Sequence, residues 1–84
     1  MKKPVVTVYS RPGCHLCDVA KSVIESSALR DSFVLEEINI DTEETLKARY
    51  GYDIPVVLID GIKVFKHSVD IRSFEQKLKR FKLA

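Results

Sequence analysis

Tryptophan is absent from this 84-residue chain, which also holds only one methionine, two cysteines, three glycines and three prolines. Two cysteines cannot staple a fold through a framework of bridges, and without a second cysteine pair they cannot complete a tetrahedral structural zinc site. Three glycines leave nothing for a flexible linker or a low-complexity tract. Long hydrophobic runs are missing too: the longest aliphatic stretch, Val56 to Ile59, is far too short to span a bilayer. Lys2 and Lys3 lead into Pro4 and a short apolar segment, so no secretory leader is expected. Neither sign of charge dominates. Fourteen basic and 12 acidic side chains give a net charge of +2, too little to draw the chain to nucleic acid or a membrane surface, and neither is expected as a partner.

What is present fits one soluble domain spanning residues 1–84, with a hydrophobic share of 45% and a charged share of 31%. The expected setting is cytoplasmic and reducing, and the expected state is a monomer. Basic residues are dispersed except at Lys77, Lys79, Arg80 and Lys82, which read as the solvated face of a last helix.

The pattern of apolar residues gives an element order. Val5 to Tyr9 is β-branched and reads as a strand, and Ser10 to Gly13 as a turn. Leu16, Val19, Ala20, Val23 and Ile24 recur at helical spacing as one apolar stripe. Phe33 to Ile40 reads as a second strand with Val34, Ile38 and Ile40 on one face. Glu36 breaks that face, which argues for a sheet edge. Asp41-Thr42-Glu43-Glu44 has the form of a capping box, with Asp41 as N-cap, opening a short helix that Gly51 ends. Val56-Val57-Leu58-Ile59 reads as a central strand buried on both faces, and Asp60-Gly61 as a tight hairpin turn into Ile62 to Phe65. Ile71, Phe74, Leu78 and Phe81 mark a final helix capped by Ser68 or Asp70. The order is β-α-β-α-β-β-α, with the first two strands parallel and the last two antiparallel.

The two cysteines, Cys14 and Cys17, stand where the first strand gives way to the first helix. In a reducing compartment this Cys-x-x-Cys spacing points to catalysis or metal binding rather than a structural bridge. Side chains three apart on a regular helix lie about 5–6 Å apart at Cβ, whereas a disulfide needs about 3.5–4.5 Å. Cys14 is therefore expected at the helix start, where Pro12-Gly13 can bend the chain. There the unpaired amides of the first turn and the helix dipole stabilise a thiolate. Arg11 and His15 add positive charge, and Asp18 opposes it. Cys17, pointing inward, is expected to be the resolving thiol that attacks Cys14 once a mixed disulfide has formed.

The segment Tyr9-Ser10-Arg11-Pro12-Gly13-Cys14-x-x-Cys17 resembles the glutaredoxin active-site stretch, and Lys47 to Val56, ending Ile54-Pro55-Val56, resembles the segment before the cis-proline of thioredoxin-fold proteins. The resemblance covers residues 5 to 82 and implies a minimal thioredoxin fold, with a four-stranded mixed sheet flanked by helices. It also implies a cis Pro55 beside Cys14, an Ile54 backbone that pairs with an extended peptide or with glutathione, and an Arg11 directed at a glutathione carboxylate. Glutaredoxins usually carry a Gly-Gly pair after the last strand, where this chain has Lys66-His67 and then Ser68-Val69-Asp70. Lys66 and Asp70 join Arg11, His15, Ile54 and Pro55 as candidate substrate-binding residues. Thioredoxin proper is less similar, since its tryptophan before the first cysteine is Gly13 here.

The expected function is thiol–disulfide exchange on protein or glutathione mixed disulfides, an enzyme activity with Cys14 as nucleophile and Cys17 as resolving thiol. No tightly bound cofactor is expected. Glutathione is a candidate co-substrate, and a thiol reductant system is needed to close the cycle. The alternative is a metal or iron–sulfur module in which Cys14 and Cys17 take external ligands.

Overall fold

The structure, a computed structural model, describes residues 3–83 and the side chains of residues 3–81. Lys2 and the side chain of Lys82, both named above, lie outside the described residues. Strand β1 (Val5–Ser10) is followed by helix α1 (His15–Glu25), strand β2 (Val34–Asn39), helix α2 (Glu44–Tyr50), strands β3 (Val56–Ile59) and β4 (Ile62–Lys66), and helix α3 (Ile71–Leu83). The four strands form one mixed sheet in the order β2-β1-β3-β4. β1 runs parallel to β2 and antiparallel to β3, and β3 runs antiparallel to β4. The expected element order and strand directions are present, with β2 at an edge and β3 inside, all four of its residues buried. Asp60 and Gly61 both take positive φ, 49° and 83°, as a type I′ hairpin turn requires. Asp60 also ties β3 back to β1: its carboxylate accepts from the Val5 amide at 2.8 Å, and its amide donates to the Val5 carbonyl at 2.8 Å.

The sheet carries α1 and α3 on one face and α2 on the other. Val6 and Val8 of β1 and Val57 and Ile59 of β3 meet Ile24 of α1 and Phe74 and Leu78 of α3 in one buried cluster with Phe33. On the opposite face Tyr9 stacks on Tyr50 of α2, with ring centroids 4.8 Å apart. This division follows from the two-residue period of the strands, which sends Val6, Val8 and Ser10 one way and Thr7 and Tyr9 the other.

Three local expectations need correction. The buried face of α1 is Cys17, Ala20 and Ile24, whereas Leu16 and Val19 are about half exposed. The apolar stripe is wider than the strip of helix the sheet covers. On β2, Leu35 packs on the core in place of Val34, which is 48% exposed, and Ile40 is buried from a 3-10 turn rather than from the strand. Asp41 does not cap α2. Asn39 takes the Asp41 amide at 2.9 Å, the Asp41 carboxylate turns to Arg11, and α2 begins after Glu43 with no side-chain cap. A distant cation outcompetes the local amide for that carboxylate. At the last helix the cap is Asp70 rather than Ser68: its carboxylate accepts from the Ser73 amide at 2.9 Å.

Candidate active site

The loop from β1 to α1 delivers both sulfurs to one edge of the sheet. Gly13 takes φ +78°, a conformation open to glycine and costly for other residues, and so turns the chain into the helix. Cys14 is the N-cap of α1 in an extended conformation, and its Sγ accepts from the Cys17 amide at 3.2 Å. A cap residue is not bound to helical geometry, so the pair closes with a Cα–Cα separation of 5.3 Å and forms a Cys14–Cys17 disulfide. The two sulfurs are unequal. Cys14 is half-buried at the surface loop, and Cys17 is 1% exposed, at the head of the inward face of α1. After reduction, the amide that now reaches Cys14 Sγ faces the thiolate there, with the positive end of the helix dipole behind it.

The other expected residues take different positions. His15 is the first residue of α1 and is exposed. Arg11 reaches the α2 side, where its guanidinium donates to Asp41 at 2.9 Å, and it lines depressions on both sides of the loop. The Ile54–Pro55 bond is cis, Ile54 is half-buried and Pro55 is buried at the head of β3. Lys66 stands opposite Val56 at the end of β4. His67 follows with φ 71°, and its amide donates to the Pro55 carbonyl at 2.8 Å, so the Lys66–His67 step borders the segment preceding β3. Its ring nitrogen lies 4.0 Å from the Asp53 carboxylate. Asp70 caps α3, and the Ser73 backbone amide and hydroxyl hold its carboxyl below the usual carboxylate range.

A second cluster beside the loop was absent from the sequence reading. Ser10, at the end of β1 and 3% exposed, donates its hydroxyl to Glu37 of β2 at 2.6 Å. Both Glu37 carboxylate oxygens lie 3.1 Å from Lys21 Nζ of α1. The Ser10 hydroxyl first, and Lys21 with it, hold the Glu37 carboxyl below its ordinary range, while the hydrogen bond to Glu37 raises Lys21. These residues line a depression of about 290 Å³ with Arg11, Pro12, Gly13 and Asp18. No local pattern in the sequence announces it: Glu37 is an exposed carboxylate whose partners come from β1 and α1.

The model of the glutaredoxin-like domain (DUF836) matches residues 5–79. The chain belongs to the glutaredoxin-like domain family. This glutaredoxin-like domain is 37% identical over 71 residues to a glutaredoxin-like protein (YDR286C homolog) of Dictyostelium discoideum, in a match covering 77% of the chain and 66% of that protein. The chain therefore spans just under two thirds of that relative's length. Among solved structures, protein Ne2328 of Nitrosomonas europaea aligns at a TM-score of 0.76 and 26% identity, covering 92% of this chain and 93% of that one. A mutant thioredoxin of Halobacterium salinarum aligns at a TM-score of 0.69 and 19% identity, covering 95% and 75%, a likeness of fold alone. The glutaredoxin-like domain thus has the thioredoxin fold, and its Cys14–Cys17 pair supports a redox role. The alternative of a metal or iron–sulfur module with external ligands is not favoured by the match to the glutaredoxin-like family and its relative. Among the described residues no helix is long and apolar enough to cross a membrane.

Proposed function

We propose that this glutaredoxin-like domain is a thiol–disulfide oxidoreductase that reduces disulfides of proteins, or mixed disulfides with glutathione, through its cysteine pair. The observation that carries this reading is the inequality of the two sulfurs, with Cys14 at the helix cap beneath an amide and Cys17 buried behind it. In the reduced protein the Cys14 thiolate attacks a substrate disulfide, forming a mixed disulfide and expelling one substrate thiolate. Cys17 then attacks Cys14 Sγ, the Cys14–Cys17 bond forms, and the second substrate sulfur leaves reduced. Two electrons pass from the cysteine pair to the substrate, and an external thiol reductant restores the pair.

Ile54 and Pro55 border the groove in this reading, and Arg11, His15, Lys66 and Asp70 supply its charge and polarity. Glutathione serves as co-substrate rather than as a bound cofactor, and a reducing cytoplasmic setting and a monomeric state accompany the proposal. The test is an exchange assay run with glutathione and, separately, with a thioredoxin-type reductant. Cys14→Ser is expected to abolish exchange, and Cys17→Ser to accumulate a mixed disulfide visible as added mass on Cys14. Equal residual activity in both variants contradicts the assigned roles.

A further inference from the structure

One surface of the molecule takes no part in the exchange cycle. Residues 61–84 carry seven basic and two acidic side chains, while residues 31–60 carry two basic and eight acidic. Both acidic groups of the basic segment are engaged: Asp70 accepts from the Ser73 amide at 2.9 Å, and Glu75 holds the Ser27 hydroxyl and the Ala28 amide. Among the described residues no carboxylate lies within 4.0 Å of the side-chain nitrogens of Lys63, Lys66, Lys77, Lys79 or Arg80. Resting on the thiol–disulfide reading above, we propose that the open edge of β4 docks an extended acidic segment of a partner protein and so brings that protein's disulfide to Cys14.

The sheet ends at β4, and among the described residues no strand pairs with its outer side. The amides and carbonyls along that side can take another extended chain. Cations flank it on both faces. Lys63 and Lys66 stand opposite Leu58 and Val56 of β3. The alternate residues of β3, Val57 and Ile59, enter the core cluster, so the two lysines lie on the α2 side of the sheet. On the α3 side Lys77 places its Nζ 5.9 Å from the centre of the Phe65 ring of β4. Ile62, exposed at the start of the strand, adds an apolar contact. The strand also leads to the chemistry. Lys66 faces Val56, the residue after Pro55, and Val56 faces Tyr9 near the end of β1. Two strand spacings, about 10 Å, separate Lys66 from the end of β1 that opens into the Cys14 loop, a gap that about three extended residues cross.

These features together select an acidic protein segment. Lysine on an open edge discourages pairing with a neutral or basic strand. Carboxylates along an extended chain answer the ammonium groups instead, alternating between the face of Lys63 and Lys66 and the face of Lys77. A backbone edge offers a nucleic acid no pairing partner. Glu36, Glu43 and Glu44, exposed on and just after the strand at the opposite edge, repel a polyanion long enough to wrap the molecule. Attraction of this kind acts on encounter, so it is read in kcat/KM and fades as salt is added.

The experiment uses peptides of equal length, each with one cysteine held as a mixed disulfide with a coloured aromatic thiol, beside a run of glutamate, of glutamine or of lysine. At low ionic strength the reduced protein is expected to use the glutamate peptide with a kcat/KM about tenfold above the glutamine peptide, with the lysine peptide below both. Salt at about 1 M, where the screening length is about 3 Å, is expected to remove most of the difference. Lys63→Gln with Lys77→Gln is expected to bring the glutamate-to-glutamine ratio down to about two. Arg30→Gln removes a cation ahead of β2 at the far edge and is expected to leave that ratio unchanged. A cysteine-free glutamate peptide added to the oxidised protein is expected to shift the NMR amide signals of Ile62–Lys66. Equal kcat/KM for the three peptides, a glutamate preference that survives in the double variant, or shifts centred away from β4 overturn the proposal. Equal β4 shifts from a short single-stranded DNA overturn it too, in favour of a general polyanion site. If no peptide releases colour, the exchange reading fails, whereas the β4 shifts still report docking by themselves.

Discussion

At the scale of single residues, one amide and one burial difference separate two chemically identical side chains. Cys14 gains its character from being a cap, because only a residue outside helical geometry can turn its Sγ onto the Cys17 amide. Lys66 and His67 belong to the same scale, and in the proposed function they border the substrate groove. His67 already holds a left-handed backbone, φ 71°, which glycine adopts without cost. Replacing both residues with glycine removes bulk and one charge beside the Pro55 segment at little expense in folding. The Lys66→Gly, His67→Gly variant is expected to lower the KM for glutathione by up to about tenfold. An unchanged or raised KM in steady-state assays shows that bulk there does not limit glutathione use.

Glu37 offers a residue-scale test in stability. Its carboxyl is ionised to lower pH in the folded protein than at its ordinary 4.5. The associated stability is therefore fully present above that value and is lost as pH falls through the depressed one. Lys21 is raised above 10.5, so its share is present below that value and is lost as pH rises through the raised one. Because both groups are partly exposed, the effect is of order 0.5 kcal/mol. Urea unfolding of Glu37→Gln is expected to show that deficit at neutral pH and to converge on the wild type in acid.

At the scale of elements, stability rests on the α1–α3 face of the sheet. Phe74 is fully buried and meets Phe33 edge-on, with centroids 5.5 Å apart. Phe74→Ala is expected to cost about 3–5 kcal/mol, a large part of the ~5–15 kcal/mol that holds a small domain folded. A urea midpoint close to that of the wild type would show that the core lies elsewhere. The elements themselves were legible in the sequence wherever a local pattern decides them. Four consecutive aliphatics made β3 and Asp60-Gly61 made its hairpin, while the cap of α3 was legible only as Ser68 or Asp70, of which Asp70 serves. Legibility failed where a partner from far along the chain overrode a local preference. The Asp41-Thr42-Glu43-Glu44 capping box dissolved because Arg11, 30 residues away, holds the carboxylate. The exposed flank of α1 was misplaced because the width of its contact with the sheet is a tertiary property.

At the scale of the whole molecule, the parallel pairing of β1 with β2 does the assembling. Its register sets Val8 beside Glu37 and Ser10 beside Asn39, which brings Glu37 to the active-site loop across a separation of 27 residues. The Cys-x-x-Cys pair was legible because it is contiguous and begins a helix. The cluster of Ser10, Lys21 and Glu37 was not, because register between strands is not written in either strand alone. The fold therefore does two things at once: it presents one sulfur and hides the other. The most direct measurement of that arrangement is the rate of alkylation of each cysteine in the reduced protein near neutral pH, read by peptide mass. Cys14 is expected to react at least about tenfold faster than Cys17, at a pH where an ordinary thiol is slow. Equal rates at the two positions, or faster reaction at Cys17, would contradict the account.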